Sequence, residues 1–201
     1  MSALILLRHG QSQWNLENRF TGWIDVPLSP KGEDEARAAG EKLRGHHIDK
    51  LYTSVLKRAV DTATLAIEAA GLRTPPTEQD AALNERMYGD LQGLNKAEAA
   101  KQFGDAQIKL WRRSYDVRPP GGESLADTAE RVLPYWESHI LPDLKAGRNV
   151  LVVAHGNSLR ALVMHLDGLS HAEVLELEIP TGAPLLYDVG ADGRVSGKRY
   201  L

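Results

Sequence analysis

The sequence predicts an α/β protein with three layers, in which helices cover both faces of a mainly parallel central sheet. Two short apolar runs, at residues 3–7 and 149–154, are rich in branched residues, and each ends in a polar loop. Such runs are typical of strands buried on both faces. A weaker strand is predicted at residues 51–53, and the alternation of strands with helices favours a ligand site at the carboxyl ends of the strands.

Local signals set the boundaries of the first two helices. Ser29 can cap a helix that Pro30 opens and that runs toward Leu43. A second helix is predicted over residues 55–70 and ends before Gly71. Both helices lie between predicted strands, as an alternating fold requires.

A capping-box pattern at residues 124–127 predicts a helix that contains Arg131 and Trp136. Pro134 lies inside this segment and predicts a bend, because proline removes a helical hydrogen bond.

The last helix and strands follow the second apolar run. A helix that begins near Ser158 is expected to end at Gly168. Residues 184–189 and 195–200 are predicted to form edge strands, joined by a turn at residues 191–193.

Length and composition indicate one globular domain over residues 1–201. The chain is 42% hydrophobic and 25% charged, without repeats or biased segments. It contains no cysteine, which excludes a disulfide framework, a thiolate metal site and thiol catalysis. Any nucleophile must therefore be another side chain.

The net charge and the amino-terminal residues indicate which binding partners and which cellular location to expect. The net charge of −3 gives no general attraction to nucleic acid or acidic lipid, so a phosphorylated ligand would need a local cationic site. The apolar run at residues 1–7 is stopped by Arg8 and His9, far short of a membrane span, and it lacks the features of a signal peptide. We expect a cytoplasmic protein that binds neither nucleic acid nor membrane.

The two apolar runs each end in a His-Gly pair, His9-Gly10 and His155-Gly156, and Arg8 precedes the first. Parallel strands would deliver both pairs to one edge of the sheet. A neutral imidazole can attack phosphorus, and a protonated one can donate hydrogen bonds to phosphate oxygens. The alternatives are that each histidine only finishes a strand, or that the pair binds a metal. The second is disfavoured, because no ligand spacing such as His-Glu-x-x-His is present and Arg8 would repel a cation.

Residues 8–12, Arg-His-Gly-Gln-Ser, resemble the signature of the histidine phosphatase superfamily, whose fold is called phosphoglycerate mutase-like. Nearly the whole chain then resembles the cofactor-dependent phosphoglycerate mutases, through residues 15–23, 53–58, 83–96, 111–120, 154–162 and 179–182. The resemblance implies an isomerase of glycolysis and gluconeogenesis that interconverts 3-phosphoglycerate and 2-phosphoglycerate. It also implies a phosphohistidine intermediate, priming by 2,3-bisphosphoglycerate and no metal.

The resemblance assigns His9 as the carrier of the phosphoryl group and Glu85 as the acid/base carboxylate. Arg8, Arg58 and His155 would stabilise the transferred group, whose transition state spreads charge over three oxygens. Arg58 follows Ser54 by four residues, so we expect the two on one face near a helix start, where backbone amides favour an anion. Alone, Arg58 would be interpreted as a solvated helix arginine.

A mutase must also hold the far end of its substrate, and Lys96, Arg112 and Arg113 match the family pattern for that task. A solvated basic face is the alternative for the arginine pair. The complete set of substrate-binding residues implied by the resemblance is Arg8, Gly10, Gln11, Ser12, Asn15, Thr21, Gly22, Arg58, Glu85, Arg86, Tyr88, Lys96, Arg112, Arg113, Gly156 and Asn157.

The chain departs from the longer members of the family. Only residues 121–123 stand between Pro120 and Ser124, where longer members carry an insertion, and the chain ends at Leu201 without their mobile tail. Met87 stands where many members have histidine. These gaps leave the oligomeric state open between homodimer and monomer, and a more open site would allow some hydrolysis of the phosphohistidine.

Two other functions remain open at this point. A phosphomonoester hydrolase on the same fold would keep His9, Arg58, Glu85 and His155 but would not need Lys96 or the arginine pair. A non-catalytic phosphate-binding protein would need no complete set of nucleophile and acid/base groups.

Overall fold

A computed structural model describes all residues from 1 to 201, and a six-stranded sheet forms its centre. The strand order is β3-β2-β4-β1-β5-β6. The first four strands in this order are parallel, and β5 and β6 are antiparallel to their neighbours. The strands are β1 (Ser2–Arg8), β2 (Lys50–Thr53), β3 (Thr77–Gln79), β4 (Val150–Ala154), β5 (Leu185–Val189) and β6 (Val195–Tyr200).

Nine α-helices surround the sheet, and none is long and apolar enough to cross a membrane. They are α1 (Gln13–Leu16), α2 (Pro30–Leu43), α3 (Lys57–Ala69), α4 (Lys96–Phe103), α5 (Asp105–Arg113), α6 (Leu125–Tyr135), α7 (Leu141–Lys145), α8 (Gly156–Asp167) and α9 (His171–Glu176). Short 3₁₀ turns at Ala81–Leu83 and Gly89–Leu91 shape the segment between β3 and α4.

The sheet separates two apolar clusters, which confirms the predicted three layers. Along β1, Leu4 and Leu6 pack in a cluster of 23 buried residues with α6 and α8. Ile5 and Leu7 point the other way, into a cluster of 14 buried residues with α2 and α3. Successive side chains of a strand alternate between faces, so an uninterrupted apolar run is needed to fill both.

Three local predictions are confirmed. The Ser29 side chain accepts a hydrogen bond from the Gly32 amide and caps α2 at Pro30. Ser124 and Asp127 form the capping box of α6. Gly168 ends α8 in the left-handed conformation, with φ of 65°.

The predicted edge strands are only half right, because β5 lies between β1 and β6 and only β6 is at the edge. Strand β3 and the helices α1, α4, α5, α7 and α9 were not predicted. The three residues of β3 are polar and largely exposed, so they carry no apolar pattern. Helix α8 begins at Gly156, two residues before the predicted start at Ser158.

Pro134 changes the helix in which it lies without ending it. Helix α6 runs to Tyr135 and continues as a π-helical turn over Trp136–Ile140, which leads into α7. Trp136, predicted to lie in the same helix as Arg131, therefore belongs to the π-helical turn. Proline has no amide hydrogen to donate to the preceding turn, and such turns often accompany a break in the hydrogen-bond ladder.

Helices α4 and α5 pack beside the sheet through a small cluster of their own. Its four buried members are Phe20, Leu91, Ala99 and Ile108. This cluster links α4 and α5 to the loop that contains Phe20, and it places both helices beside the carboxyl ends of the parallel strands.

Gly40 of α2 packs tightly against α3. A Cβ atom at this position would lie 2.3 Å from the Ala66 carbonyl oxygen. Alanine normally stabilises a helix by about 1 kcal/mol relative to glycine. We nevertheless expect Gly40→Ala to lower the free energy of unfolding, by about 1 to 3 kcal/mol, because backbone must move to admit the methyl group.

Urea denaturation measures the change in the free energy of unfolding. Ala38→Gly, on the exposed face of α2, serves as the control, because it shows the effect of alanine against glycine on helix propensity alone. Stabilisation by Gly40→Ala would contradict the described packing of α2 on α3.

Candidate active site

Pairing of β1 with β4 brings the two histidine loops together. The two strands are parallel with Arg8 opposite Ala154, and the His9 amide donates to the Ala154 carbonyl at 3.0 Å. The imidazole rings of His9 and His155 lie with centroids 4.9 Å apart and are both buried. Two side chains that are 146 positions apart in the sequence thus form one group.

The surroundings of His9 fix its tautomer. Its Nδ1 lies 2.6 Å from the Gly10 carbonyl oxygen, which can only accept, so Nδ1 carries the hydrogen. Burial holds the pKa of His9 well below its usual value, and Arg58 and Arg8 act in the same direction. The ring is therefore neutral near pH 7, and Nε2 carries a free lone pair, as a nucleophile toward phosphorus requires.

His155 packs against His9 and is held by a residue that follows a third strand. Its Nε2 is 2.7 Å from Oγ of Ser54, which follows β2. Burial lowers the pKa of His155 well below its usual value, and the nearby Arg58, His9 and Arg8 lower it further.

Arg58 is a buried cation held by backbone oxygens. Its guanidinium donates to the carbonyls of Ile24 and Gly22 at 2.9 and 2.7 Å. Burial lowers the pKa of Arg58 to about 10, so it remains charged at neutral pH. It lies near the start of α3 as predicted, but the expected shared helical face with Ser54 is wrong, because α3 begins at Lys57 and Ser54 precedes it.

Glu85 reaches the same cleft from the loop after β3. Its backbone carbonyl accepts hydrogen bonds from Trp23 Nε1 at 2.6 Å and from Arg131 Nη2 at 2.8 Å. Its Oε1 accepts from the amides of Arg86 and Asn157, at 2.8 and 3.1 Å. The contact with Asn157 ties the carboxylate to the first turn of α8, directly after His155.

Three cations from α4 and α5 also line the cleft. Lys96 is the first residue of α4, and Arg112 and Arg113 end α5. Burial lowers the pKa of Lys96 to about 8, and Arg112 and Arg8 contribute in the same direction. The cations stand close enough to repel one another, and this arrangement favours a ligand with more than one negative charge.

The cleft is lined by 17 residues, of which only two are hydrophobic. Seven are lysine or arginine and two are glutamate, which gives a formal charge of +5 in a chain whose net charge is −3. Thirteen of the predicted site residues are among them: Arg8, His9, Asn15, Thr21, Gly22, Arg58, Glu85, Tyr88, Lys96, Arg112, Arg113, Gly156 and Asn157.

Five predicted site residues do not line the cleft: Gly10, Gln11, Ser12, Arg86 and His155. Gly10 packs against Gly32, Gln11 accepts from the Ser29 hydroxyl, and Ser12 caps α1. The guanidinium of Arg86 donates to the carbonyls of Glu123 and Trp111. These contacts hold the loops that carry the cleft residues. Direct substrate binding by Gly10, Gln11, Ser12 and Arg86, and a catalytic role for His155, remain predictions.

Four lining residues were not predicted: Arg19, Arg160, Glu178 and Ile179. Arg160 could have been found, because it follows Gly156 by one helical turn, but the predicted helix began two residues too late. Its Nη1 donates to Asn157 Oδ1 at 3.1 Å. Glu178 comes from a distant segment, and no local pattern places it in the cleft.

The fold and the cleft together define an α/β protein with a buried, neutral histidine in a strongly cationic cleft. The family model of the histidine phosphatase superfamily (branch 1) matches residues 4–196. The chain belongs to this superfamily.

Two relatives within the superfamily show a more specific similarity. The chain is 58% identical to the 2,3-bisphosphoglycerate-dependent phosphoglycerate mutase of Methylobacterium radiotolerans, over 98% of this chain and 94% of the relative. It is 51% identical to the protein of that name from Caulobacter sp. (strain K31), over 100% of this chain and 95% of the relative. That alignment spans 225 positions against the 201 residues here, so the Caulobacter protein contains about 24 residues that this chain lacks.

Among solved structures, the chain is similar to mycobacterial glucosyl-3-phosphoglycerate phosphatase in complex with VO3. The identity is 30% and the TM-score 0.84, over 100% of this chain and 97% of the other. The same fold therefore also occurs in a protein named as a phosphatase.

Burial of two neutral histidines predicts a pH-dependent stability. Both pKa values lie below the unfolded value of about 6.5, so below that pH the unfolded chain binds more protons than the folded one. The stabilisation is complete above pH 6.5 and is lost as the pH falls toward the folded pKa values. The slope approaches about 1.4 kcal/mol per pH unit for each histidine.

Urea denaturation at pH 7.5 and 5.5 measures this loss. It should shrink in a His9→Gln/His155→Gln variant and persist in His165→Gln, which alters an exposed histidine on α8. An equal loss in the double variant and the unaltered protein would contradict the assignment.

Proposed function

We propose that this chain is a 2,3-bisphosphoglycerate-dependent phosphoglycerate mutase that interconverts 3-phosphoglycerate and 2-phosphoglycerate through a phosphohistidine at His9. The observation that carries the proposal is one cleft that holds His9, with its unprotonated Nε2, together with Lys96, Arg112 and Arg113. Full-length identities of 51% and 58% to proteins of that name support it.

The cleft suits a ligand with two or three anionic groups. Arg8 and Arg58 stand beside His9 for the phosphoryl group that is transferred, and the cations of α4 and α5 stand ready for a carboxylate or a second phosphate. 2,3-Bisphosphoglycerate supplies the phosphoryl group that primes His9. A simple phosphomonoester hydrolase has no comparable need for the far cations.

In the proposed reaction, His9 Nε2 attacks phosphorus, and a nitrogen–phosphorus bond forms as the bond to the glycerate oxygen breaks. The Gly10 carbonyl keeps the hydrogen on Nδ1 and stabilises the positive charge that develops on the ring. Arg8 and Arg58 stabilise the charge on the equatorial oxygens. The primed phosphohistidine passes its group to the free hydroxyl of the monophosphoglycerate and forms the bisphosphate in the cleft. His9 then attacks the phosphate at the other position, which releases the isomeric monophosphoglycerate and restores the phosphohistidine.

Glu85 transfers the proton in both directions. One glycerate oxygen leaves when His9 takes a phosphoryl group, and the neighbouring oxygen attacks the phosphohistidine in the other half-reaction, so one carboxyl group must act as an acid in the first case and as a base in the second. The hydrogen bonds from Trp23 and Arg131 to the Glu85 carbonyl fix the loop, and the Asn157 amide orients the carboxylate.

The remaining parts of the proposal concern the state of the protein. We take residues 1–201 to be one catalytic domain, active in the cytoplasm on small phosphoglycerates, as a homodimer or a monomer and without a metal. The hydrolase is the second candidate, because the mycobacterial phosphatase shares the fold at 30% identity.

The deciding assay supplies 3-phosphoglycerate with and without a trace of 2,3-bisphosphoglycerate and follows 2-phosphoglycerate and inorganic phosphate. We expect isomerisation that depends on the trace, with only slow phosphate release. His9→Ala should abolish turnover because no phosphohistidine can form, while His165→Ala, on the exposed face of α8, should retain it. Rapid phosphate release without isomerisation would indicate the hydrolase, and substantial activity of His9→Ala would overturn the mechanism.

The lowered pKa of Lys96 predicts that substrate binding depends on pH. Lys96 loses its proton as the pH rises through about 8, so KM for 3-phosphoglycerate should rise by up to about tenfold between pH 7 and 9. Lys96→Arg remains protonated over this range and should show a much smaller rise. An equal rise in both proteins, in steady-state measurements, would assign the pH dependence to another group.

A further inference from the structure

Glu178 is a carboxylate in the cleft that the proposed reaction does not use. It follows α9, lines the cleft, and lies with its Oε1 2.9 Å from Nη2 of Arg113. The side chains of Glu178 and Arg113 are 72% and 41% exposed. Arg113 is one of the cations assigned to the far end of the substrate, so Glu178 occupies a place that an anionic group of the ligand would take.

The charges around this pair explain why a carboxylate stands there. The cleft contains seven lysines and arginines, and Glu85 is the only other acidic residue in its lining. In the absence of a ligand, Glu178 therefore acts as an internal counter-ion at the far end of the cleft.

The contact between Glu178 and Arg113 is weak enough to exchange. An exposed ion pair contributes little to stability, since both partners are well solvated. A carboxylate or phosphate of the ligand, held by several cations at once, binds Arg113 more strongly than the single carboxylate of Glu178 does. The displaced carboxylate stays tethered at the rim and repels negative charge nearby.

We propose that Glu178 determines ligand preference: it weakens the binding of doubly phosphorylated ligands more than that of singly phosphorylated ones, by competing for Arg113 and then repelling the additional phosphate. Each phosphate monoester adds about 1.5 to 2 negative charges, so the repulsion is larger for the bisphosphate. The inference rests on the proposed function, because it takes Arg113 as the distal anchor of the ligand. Its consequence is a bisphosphate that can still leave and re-enter the cleft.

The alternative is that the pair only joins α5 to the segment after α9. Arg113 Nη1 also donates to the Leu175 carbonyl at 3.4 Å, which such a tie would explain. A purely structural pair would change stability but would not distinguish between ligands according to their charge.

Calorimetric titration in a His9→Ala background tests the proposal, because no phosphoryl group can be transferred there. Five proteins are compared: the background alone, and the background with Glu178→Gln, Glu176→Gln, Arg113→Gln, or Arg113→Gln and Glu178→Gln together. Glu176 is exposed, does not line the cleft and provides the matched change of charge. Each protein is titrated with 2,3-bisphosphoglycerate and with 3-phosphoglycerate, at low ionic strength and at 0.15 M salt.

We expect Glu178→Gln to lower Kd for the bisphosphate by about two- to fivefold, the range an exposed ion pair can contribute. The change should be smaller for 3-phosphoglycerate and smaller for both ligands at 0.15 M salt. It should shrink when Arg113 is also replaced, because only the repulsion between Glu178 and the additional phosphate then remains. An equal effect of Glu176→Gln, an equal change for both ligands, or a change that is undiminished after loss of Arg113 would overturn the proposal.

The same titrations distinguish failure of the Glu178 proposal from failure of the proposed mutase function. If neither phosphoglycerate binds any of the five proteins, the mutase assignment fails. Inorganic pyrophosphate, titrated into the same proteins, then tests Glu178 by itself, because the competition requires only an anion that reaches Arg113. Tighter binding of pyrophosphate on Glu178→Gln that depends on Arg113 supports the inference, and unchanged binding refutes it.

Discussion

Parallel pairing of β1 with β4 is the constraint on which the site depends. Arg8 stands opposite Ala154, and the His9 amide closes the pairing on the Ala154 carbonyl at 3.0 Å. A slip of one residue would turn every side chain of a strand to the other face and would separate the two imidazoles. The observed register, in which Leu4 to Arg8 pair with Val150 to Ala154, thus brings His9 beside His155.

Burial of His9 and His155 keeps both imidazoles neutral, and burial of charged groups beside them costs desolvation free energy. Removal from water, together with the neighbouring arginines, keeps both rings neutral, and the hydrogen bond from Nδ1 to the Gly10 carbonyl leaves Nε2 free to react. Arg58 is buried as well, and the carbonyls of Gly22 and Ile24 offset part of its desolvation. The cleft is therefore prepared for an anion before one arrives, which is the form of electrostatic stabilisation that phosphoryl transfer needs.

Much of this could be predicted from the sequence, where the information is local. Apolar runs and caps gave the central strands and α2, and the motif at residues 8–12 gave the family, which the superfamily match confirms. Elements without an apolar pattern were missed, as the polar strand β3 shows. Contacts between distant segments were missed for another reason. The pairing of Arg113 with Glu178 depends on how α5 and the segment after α9 pack together in space, and the local sequence of either segment does not reveal this.

The central claim is that a neutral His9 reacts through Nε2, and the linkage of the phosphohistidine tests it most directly. The protein would be treated with 2,3-bisphosphoglycerate, quenched in alkali, and examined by ³¹P NMR against the two phosphohistidine isomers, with mass spectrometry locating the modified residue. The account predicts a single phosphoryl group on His9, bound through Nε2. A phosphoryl group on Nδ1 of His9, or on His155, would contradict it.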